Sequence, residues 1–182
     1  MKRILITGGA GFIGSNFIRW LLERDPQACV VNLDALTYSG SLENLQDLPD
    51  ESRYHFIHGN ICDEELLEKL LPEYAIDTIV HFAAESHVDR SIFGPGQFIQ
   101  TNIIGTYSLL EAAKNYWSET KGLSSSDYRF HHISTDEVFG TLKLGEPAWT
   151  EEIAYAPHSP YAASTAASDP LVRSYGHTYG LP

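Results

Sequence analysis

The chain has 182 residues, of which 43% are hydrophobic and 20% are charged, a composition typical of one folded globular domain. The 12 Lys and Arg residues stand against 24 Asp and Glu residues, for a formal net charge of −12, which argues against nucleic acid or an anionic membrane surface as a partner. No apolar run approaches membrane-spanning length. Because the first strand is predicted from residue 3, we expect no signal peptide and a cytoplasmic location.

The first predicted elements are a strand, a glycine turn and a helix. A short, mainly apolar run over 3–7 precedes Gly8, Gly11 and Gly14, and an amphipathic helix follows from Phe12 to about Arg24. Such glycines permit a tight turn and close approach of a pyrophosphate, which the free N–H groups of the helix would face. The pattern predicts a dinucleotide site; a glycine turn without a ligand is the alternative.

The second predicted strand, over 29–33, ends in Asp34, which follows Gly14 by 20 residues. A carboxylate at this place can accept hydrogen bonds from an adenosine ribose and would repel a 2′-phosphate. The sequence therefore favours NAD over NADP, with an aspartate that caps the next turn as the alternative.

The rest of the chain alternates between strands and helices. Strands are predicted over 54–58, 78–82 and 129–134, helices over 42–48, 64–71, 98–117 and 161–177, and loops over 122–127 and 141–160. This alternation predicts an α/β fold, a Rossmann-like doubly wound parallel sheet. Ligands of such sheets lie beyond the carboxyl ends of the strands, and the glycine turn, Asp34, residues 83–90 and residues 135–137 all follow strand ends.

The cysteines and histidines do not indicate a metal centre. Cys29 and Cys62 lie in or beside predicted strands, where we expect small buried side chains in a reducing cytosol. His131 and His132 are adjacent in a strand and point to opposite faces. Since no His, Cys or carboxylate cluster has ligand spacing, no metal is expected.

Six stretches carry a family resemblance: ITGGAGFIGS (6–15), LDALTYSG (33–40), HFAAESHVDRSI (81–92), TNIIGT (101–106), ISTDEVFG (133–140) and SPYAAS (159–164). Together they closely resemble the extended short-chain dehydrogenase/reductase superfamily and, within it, the dTDP-glucose 4,6-dehydratases. The glycine stretch is shared with many relatives, whereas the stretches around 83–90 and 134–138 are more specific to sugar-nucleotide dehydratases. The resemblance covers essentially the whole chain and implies one NAD-binding Rossmann-like domain over residues 1–182.

The resemblance also implies a reaction. NAD⁺ would oxidise C4 of dTDP-glucose, water would leave across C5 and C6, and the hydride would return to C6. By family match Glu137 removes the C5 proton, Asp136 protonates the departing hydroxyl, Thr135 binds the C4 oxygen and Tyr161 takes the C4 hydroxyl proton. An acidic turn after a strand is the alternative for Asp136 and Glu137.

Two more sets of residues match binding positions of the family. Ser86, Arg90 and Thr135 match the substrate side. The cofactor set is Gly8, Gly11, Phe12, Ile13, Gly14, Asp34, Ala35, Leu36, Thr37, Asn60, Ile61, Phe82, Ala83, Ala84, Glu85, Ser86, Thr101 and Tyr161. A homodimer through the helices around 98–117 and 161–177 is implied as well.

The chain departs from the family at two main points. Thr165 stands where the family's Tyr-x-x-x-Lys signature has the lysine that lowers the pKa of the tyrosine, so hydride transfer is expected to be badly impaired. The chain also stops where the family's sixth strand would begin, so that strand and the sugar-nucleotide domain are expected to be missing and the edge of the fifth strand open. Asn60 replaces the usual aspartate, with little expected effect.

Three functions stay open on these grounds. The leading hypothesis is the cofactor-binding and catalytic part of a dTDP-glucose 4,6-dehydratase. Thr165 and the missing second half favour a non-catalytic nucleotide-binding module instead. The third possibility is another sugar-nucleotide enzyme such as an epimerase, against which the acid–base pair of Asp136 and Glu137 argues.

Overall fold

The computed structural model describes residues 2–120 and 126–182, which contain one parallel sheet of five strands in the order β3-β2-β1-β4-β5. The strands are β1 (Lys2–Thr7), β2 (Ala28–Asp34), β3 (Tyr54–His58), β4 (Thr78–His81) and β5 (Arg129–His132). β2 and β3 follow on one side of β1 and β4 and β5 on the other, so the strand order reverses its direction at β1. This confirms the predicted Rossmann-like doubly wound parallel sheet.

Within the described residues, six α-helices lie between or after these strands. They are α1 (Phe12–Arg24), α2 (Glu64–Glu73), α3 (Val88–Phe93), α4 (Pro95–Phe98), α5 (Thr106–Thr120) and α6 (Pro160–Tyr179). A π-helical segment, Ile99–Gly105, joins α4 to α5, and short 3₁₀ turns cover Leu42–Leu45, Glu51–Arg53 and Asp136–Phe139.

The sequence predicts α1, α2 and α6 to within a few residues. The helix predicted over 42–48 is only the turn Leu42–Leu45, and α3 was not predicted because six residues are too few to show a helical period. The polar loop predicted over 122–127 lies outside the described residues up to residue 125. No helix in the described ranges is long and apolar enough to cross a membrane.

Both faces of the sheet are covered, which explains why three consecutive residues of β1, Ile4, Leu5 and Ile6, are all apolar. Leu5 packs into a cluster with α2 and α5 that includes Leu67 and Leu109, whereas Ile4 and Ile6 pack on the other face with Ile18 of α1. Side chains alternate between the faces of a strand, so a central parallel strand has a core on each side. The core therefore holds the carboxyl ends of β1, β2 and β4 at one edge.

Two expectations about the sequence need correction. The edge of β5 is not fully open, because the N–H of Phe130 donates to the carbonyl of Pro182 at 2.6 Å and Leu181 is buried beside it. Cys29 and Cys62 are free thiols, as expected, but both are only half-buried. For Cys62 the reason is local, because it lies in the connection between β3 and α2.

Candidate functional site

The glycine turn is packed against the ends of two strands. Gly8 has a φ of +71°, which favours glycine, and a Cβ there would lie 2.7 Å from the backbone of Ala83. A Cβ on Gly14 would collide with the carbonyl oxygen of Gly8. Within the described ranges no side chain caps the first turn of α1, so its leading N–H groups stay available to an anion.

Asp34 joins this turn to the loop that follows β2. Its Oδ2 accepts a hydrogen bond from the N–H of Ala10 at 2.8 Å, and its Oδ1 accepts one from the N–H of Leu36, also at 2.8 Å. The carboxylate thus caps the following turn, as the alternative interpretation predicts. Since each carboxylate oxygen has a second lone pair, Asp34 can still accept hydrogen bonds from a ribose.

A cleft of about 360 Å³ lies beyond the carboxyl ends of the strands. The cofactor set predicted from the sequence, apart from Leu36, lines it: Gly8, Gly11, Phe12, Ile13, Gly14, Asp34, Ala35, Thr37, Asn60, Ile61, Phe82, Ala83, Ala84, Glu85, Ser86, Thr101 and Tyr161. The structure brings these residues together, and their role in binding a dinucleotide stays a prediction. In the described ranges no group of three or more His, Cys, Asp or Glu side chains could hold a metal ion.

A series of buried hydrogen bonds beside the cleft determines which ring nitrogen of His81 carries the proton. Thr106 donates its hydroxyl proton to the carbonyl of Asn102 at 2.6 Å, so its oxygen accepts from Nε2–H of His81 at 3.0 Å. Nδ1 of His81 then accepts from the hydroxyl of Thr7 at 2.7 Å, whose oxygen accepts from the N–H of Ala83. Burial, helped by the nearby His132, lowers the pKa of His81 well below 6.5, which keeps the ring neutral.

Asn102, in the π-helical segment, ties three elements of the cleft together. Its Oδ1 accepts from the N–H of Glu85 at 2.8 Å, and its Nδ2 donates to the carbonyl of Glu85 at 2.9 Å. The same Nδ2 donates to Oγ of Ser164 at 2.8 Å, and Ser164 donates to the carbonyl of Tyr161. The loop after β4 and the first turn of α6 are thereby held in register.

Tyr161 and Thr165 project from α6 into the cleft. The helix begins after Ser159, whose Oγ accepts from the N–H of Ala162 at 3.0 Å. Tyr161 lies in the first turn and Thr165 one turn later, and both line the cleft. The position at which the resemblance leads one to expect a lysine is therefore directed at the cleft, but it is occupied by Thr165, a neutral residue that is only 6% exposed.

The predicted acid–base residues lie next to the cleft rather than in its lining. Thr135 precedes the 3₁₀ turn Asp136–Phe139, and its Oγ1 accepts from the N–H of Glu137 at 3.3 Å. Asp136 is exposed and Glu137 is half-buried. Ser134, directly before Thr135, does line the cleft, so the turn stands at its mouth, where β5 has ended.

Arg90 and Leu36 also lie outside the lining, and sequence reasoning missed several residues within it. The guanidinium of Arg90 lies over the ring of Tyr38. The missed lining residues are Leu33, Ser39, Gly59, His81, Gln97, Asn102, Thr106, His132, Ile133, Ser134, Thr165 and Ser168. Of these, Thr165 was singled out in the sequence only as a replacement of the expected lysine. Polar residues within otherwise apolar strands or helix faces, such as His81 and Asn102, were the available signal.

Comparisons with known proteins show that this chain is similar to sugar-nucleotide 4,6-dehydratases. The family model described as GDP-mannose 4,6 dehydratase matches residues 5–182. The dTDP-glucose 4,6-dehydratase of Salmonella typhimurium is 52% identical over 188 residues, which cover 99% of this chain and 52% of that protein. The chain thus spans about half the length of the curated relatives it matches.

Solved structures show the same half-length match. The dTDP-glucose 4,6-dehydratase of Streptomyces venezuelae, solved with NAD and TYD bound, superposes with a TM-score of 0.86 at 46% identity, covering 98% of this chain and 53% of that one. The UDP-glucose 4-epimerase of Thermus thermophilus, in complex with NAD, gives a TM-score of 0.82 at 33% identity, covering 98% of this chain and 52% of that one. Each of these matches therefore covers nearly all of this chain and about half of the solved chain.

Proposed function

Because the chain belongs to the GDP-mannose 4,6-dehydratase family, we propose that it is the NAD-binding and acid–base part of a dTDP-glucose 4,6-dehydratase. The observation that carries this proposal is the convergence on one cleft of the glycine turn, Asp34 and Tyr161, with the acidic turn at its mouth. The acidic pair favours a dehydratase over the epimerase alternative, because loss of water needs both a base and an acid.

The residues fit a dinucleotide. The glycine turn can pack closely against Ala83 and on itself only because Gly8 and Gly14 carry no Cβ, and the uncapped N–H groups of α1 suit a diphosphate. Asp34 would accept hydrogen bonds from the adenosine ribose. When bound, NAD⁺ supplies a reversible hydride acceptor for the sugar.

The chain's own residues would handle the protons. Tyr161 would take the proton of the C4 hydroxyl, and Thr135 would bind the C4 oxygen. Glu137, the more buried of the two carboxyl groups, would remove the C5 proton. Asp136 would deliver a proton to the departing C6 hydroxyl, and Ser86 and Arg90 would contact the substrate.

Thr165 favours a second candidate, an NAD-binding domain without turnover. The residue one turn after Tyr161 faces the cleft yet has no positive charge to favour the phenolate. All of the dinucleotide-facing residues would remain functional in this case.

One experiment separates the candidates. The protein is titrated with NAD⁺ by calorimetry, then incubated with NAD⁺ and dTDP-glucose while the 4-keto-6-deoxy sugar nucleotide is followed by mass spectrometry. Product that is lost in Tyr161→Phe supports the dehydratase, and binding without product supports the second candidate. A 4-epimer with no loss of water would indicate an epimerase, and neither binding nor product contradicts both proposals.

A homodimer in the cytoplasm is part of the same proposal. Apolar side chains stay exposed along the helical run before α6, with Ile99 47%, Ile104 40% and Tyr107 40% accessible. Burying these side chains against a second copy would remove apolar area from water. Sedimentation that shows only monomer would contradict the dimer.

A further inference from the structure

Asp169 is a buried carboxylate on α6, two turns beyond Tyr161, and it is only 7% exposed. Its Oδ2 accepts hydrogen bonds from the hydroxyl of Ser134 and from the hydroxyl of Tyr155, each at 2.7 Å. A buried charge is costly unless it accepts hydrogen bonds, so losing either hydroxyl donor would destabilise the buried carboxylate. One oxygen therefore connects three separate parts of the chain.

The first connection reaches the acidic turn. Ser134 lies directly before Thr135, and the 3₁₀ turn Asp136–Phe139 begins one residue later. Tyr161 and Asp169 share one helix. The bond from Ser134 to Asp169 thus sets where the acidic turn stands relative to the hydroxyl of Tyr161.

The second connection reaches residues 141–159, which we call the strap. The rings of Tyr155 and Phe139 pack edge to face, with 5.3 Å between their centroids. The N–H of Ala156 donates to the carbonyl of Val138 at 2.9 Å. Gly140 has a φ of +96°, and a Cβ there would lie 2.6 Å from the carbonyl oxygen of Ala156. The strap is therefore fitted closely against the acidic turn, and Asp169 anchors it to α6.

The third contact comes from β5. Nε2 of His132 lies 3.3 Å from Oδ1 of Asp169 and 3.3 Å from Oγ of Ser168. Ser168 donates its own proton to the carbonyl of Thr165 at 2.8 Å, so its oxygen accepts from Nε2–H of His132. Burial by itself raises the pKa of Asp169, but the nearby ring of His132 and the hydroxyl donors of Ser134 and Tyr155 outweigh it and lower the pKa, which keeps the carboxylate charged.

We propose that Asp169 is a positioning residue that holds the acidic turn and the strap against α6, so that Tyr161 and Glu137 can act on one sugar. The catalytic consequence rests on the proposed function. The proposal that Asp169 holds the turn and the strap in place does not depend on that function, because it rests only on contacts among the described residues.

The test uses the full chain with Asp169→Asn, which keeps the size of the side chain but removes its charge. Glu151→Gln is the matched control, because it removes an exposed charge from the same strap. Hydrogen exchange at residues 134–140 and 153–157 reports the turn and the strap, and trypsin cleavage after Lys143 reports release of the strap. NAD⁺ affinity is measured in parallel by calorimetry.

We expect Asp169→Asn to speed exchange in both segments and cleavage after Lys143 by about 10-fold or more, which matches a loss of roughly 1.4 kcal/mol. NAD⁺ affinity should stay within about 2-fold, and Glu151→Gln should behave as the parent. Where the parent forms product, kcat should fall by about 100-fold, the effect of a displacement of about 1 Å, with KM little changed.

Double variants show whether Asp169 acts through its donors. Ser134→Ala combined with Asp169→Asn should be no worse than Asp169→Asn alone, because the bond is already lost. Should Asp169→Asn fail to fold, Ser134→Ala and Tyr155→Phe each remove one donor and are tested in the same way. Unchanged exchange and cleavage in these variants would overturn the proposal whether or not the parent turns over. If the variants show altered exchange but the parent forms no product, the structural role of Asp169 stands and only the dehydratase function is refuted.

Discussion

The guanidinium carbon of Arg90 lies 3.7 Å from the centre of the Tyr38 ring. Tyr38 belongs to the loop after β2, Arg90 belongs to α3 after β4, and these strands flank β1 in the sheet. The contact therefore joins the two sides of the cleft across the end of β1, where the glycine turn begins. A cation over an aromatic ring at an exposed site contributes about 0.5–1 kcal/mol. We infer that the pair helps to retain a dinucleotide bound at that turn.

Removing the Tyr38 ring should speed the release of NAD⁺. Tyr38→Ala and Arg90→Ala are each expected to raise the dissociation rate about 2- to 5-fold, the equivalent of the lost cation–π contact. Stopped-flow fluorescence measures this rate, and Tyr38→Phe, which keeps the ring, serves as the control. If Arg90→Ala leaves the release rate unchanged but raises KM for the sugar nucleotide, then Arg90 has the substrate-side role predicted from the sequence.

Introducing the family's lysine should raise turnover. Thr165→Lys would place an ammonium group one helical turn from Tyr161 at the cleft, where it favours the phenolate. We expect product formation near pH 7 to rise about 10- to 100-fold, since an ordinary tyrosine is only about one part in a thousand ionised there.

Thr165→Met is the control for this change, because it adds comparable length without charge. A similar gain in the methionine variant would show that filling the space, and not the charge, matters. A parent that turns over dTDP-glucose at an ordinary enzymatic rate would contradict the prediction outright.

The buried state of His81 predicts how stability depends on pH. Burial, with a smaller effect of His132, lowers the pKa of His81 well below its ordinary value of 6.5 in the folded chain. Below pH 6.5 the unfolded chain therefore binds a proton that the folded chain does not, so stability falls as the pH drops from about 6.5 towards the folded pKa. The slope from this single group is about 1.4 kcal/mol per pH unit.

Urea unfolding between pH 7.5 and 5.0 measures this slope. His81→Gln removes the titrating group while keeping a polar side chain for Thr7 and Thr106. The variant should be less stable at pH 7.5 but should lose less stability on acidification than the parent. Parallel curves for the two proteins would show that His81 titrates alike in both states.

The contrast between the predicted and the observed site has a physical reason. Strand ends, glycine spacing and Asp34 are local signals that predict the sheet and the glycine turn, whereas most other residues of the cofactor cleft were predicted from the resemblance to the family. The hydrogen bonds of Asn102 to Glu85 and of Asp169 to Ser134 join residues 17 and 35 positions apart. Nothing in the spacing of such pairs identifies them, because only the packing of α6 and the π-helical segment on the sheet brings them together.

The glycine turn gives the last prediction, because the structure ranks its glycines differently from the motif. Gly9 lies outside the Gly-x-x-Gly-x-x-Gly spacing, yet a Cβ there would overlap the side chains of Asn32 and Ile18. Asn32 cannot easily move, since its Oδ1 accepts from the N–H of Gly9 and its Nδ2 donates to the hydroxyl of Tyr54. A Cβ on Gly11 would meet only the carbonyl oxygen of Gly8, at 3.3 Å.

Gly9→Ala should therefore destabilise the fold by about 2–4 kcal/mol, from overpacking together with a lost hydrogen bond. Gly11→Ala should cost less than about 1 kcal/mol of stability, because φ is −76° there and suits alanine. Since Gly11 lines the cleft, its added methyl group should instead weaken NAD⁺ binding. Urea unfolding and calorimetry on the same two variants measure both quantities, and equal losses of stability would show that the turn adjusts to a Cβ at either position.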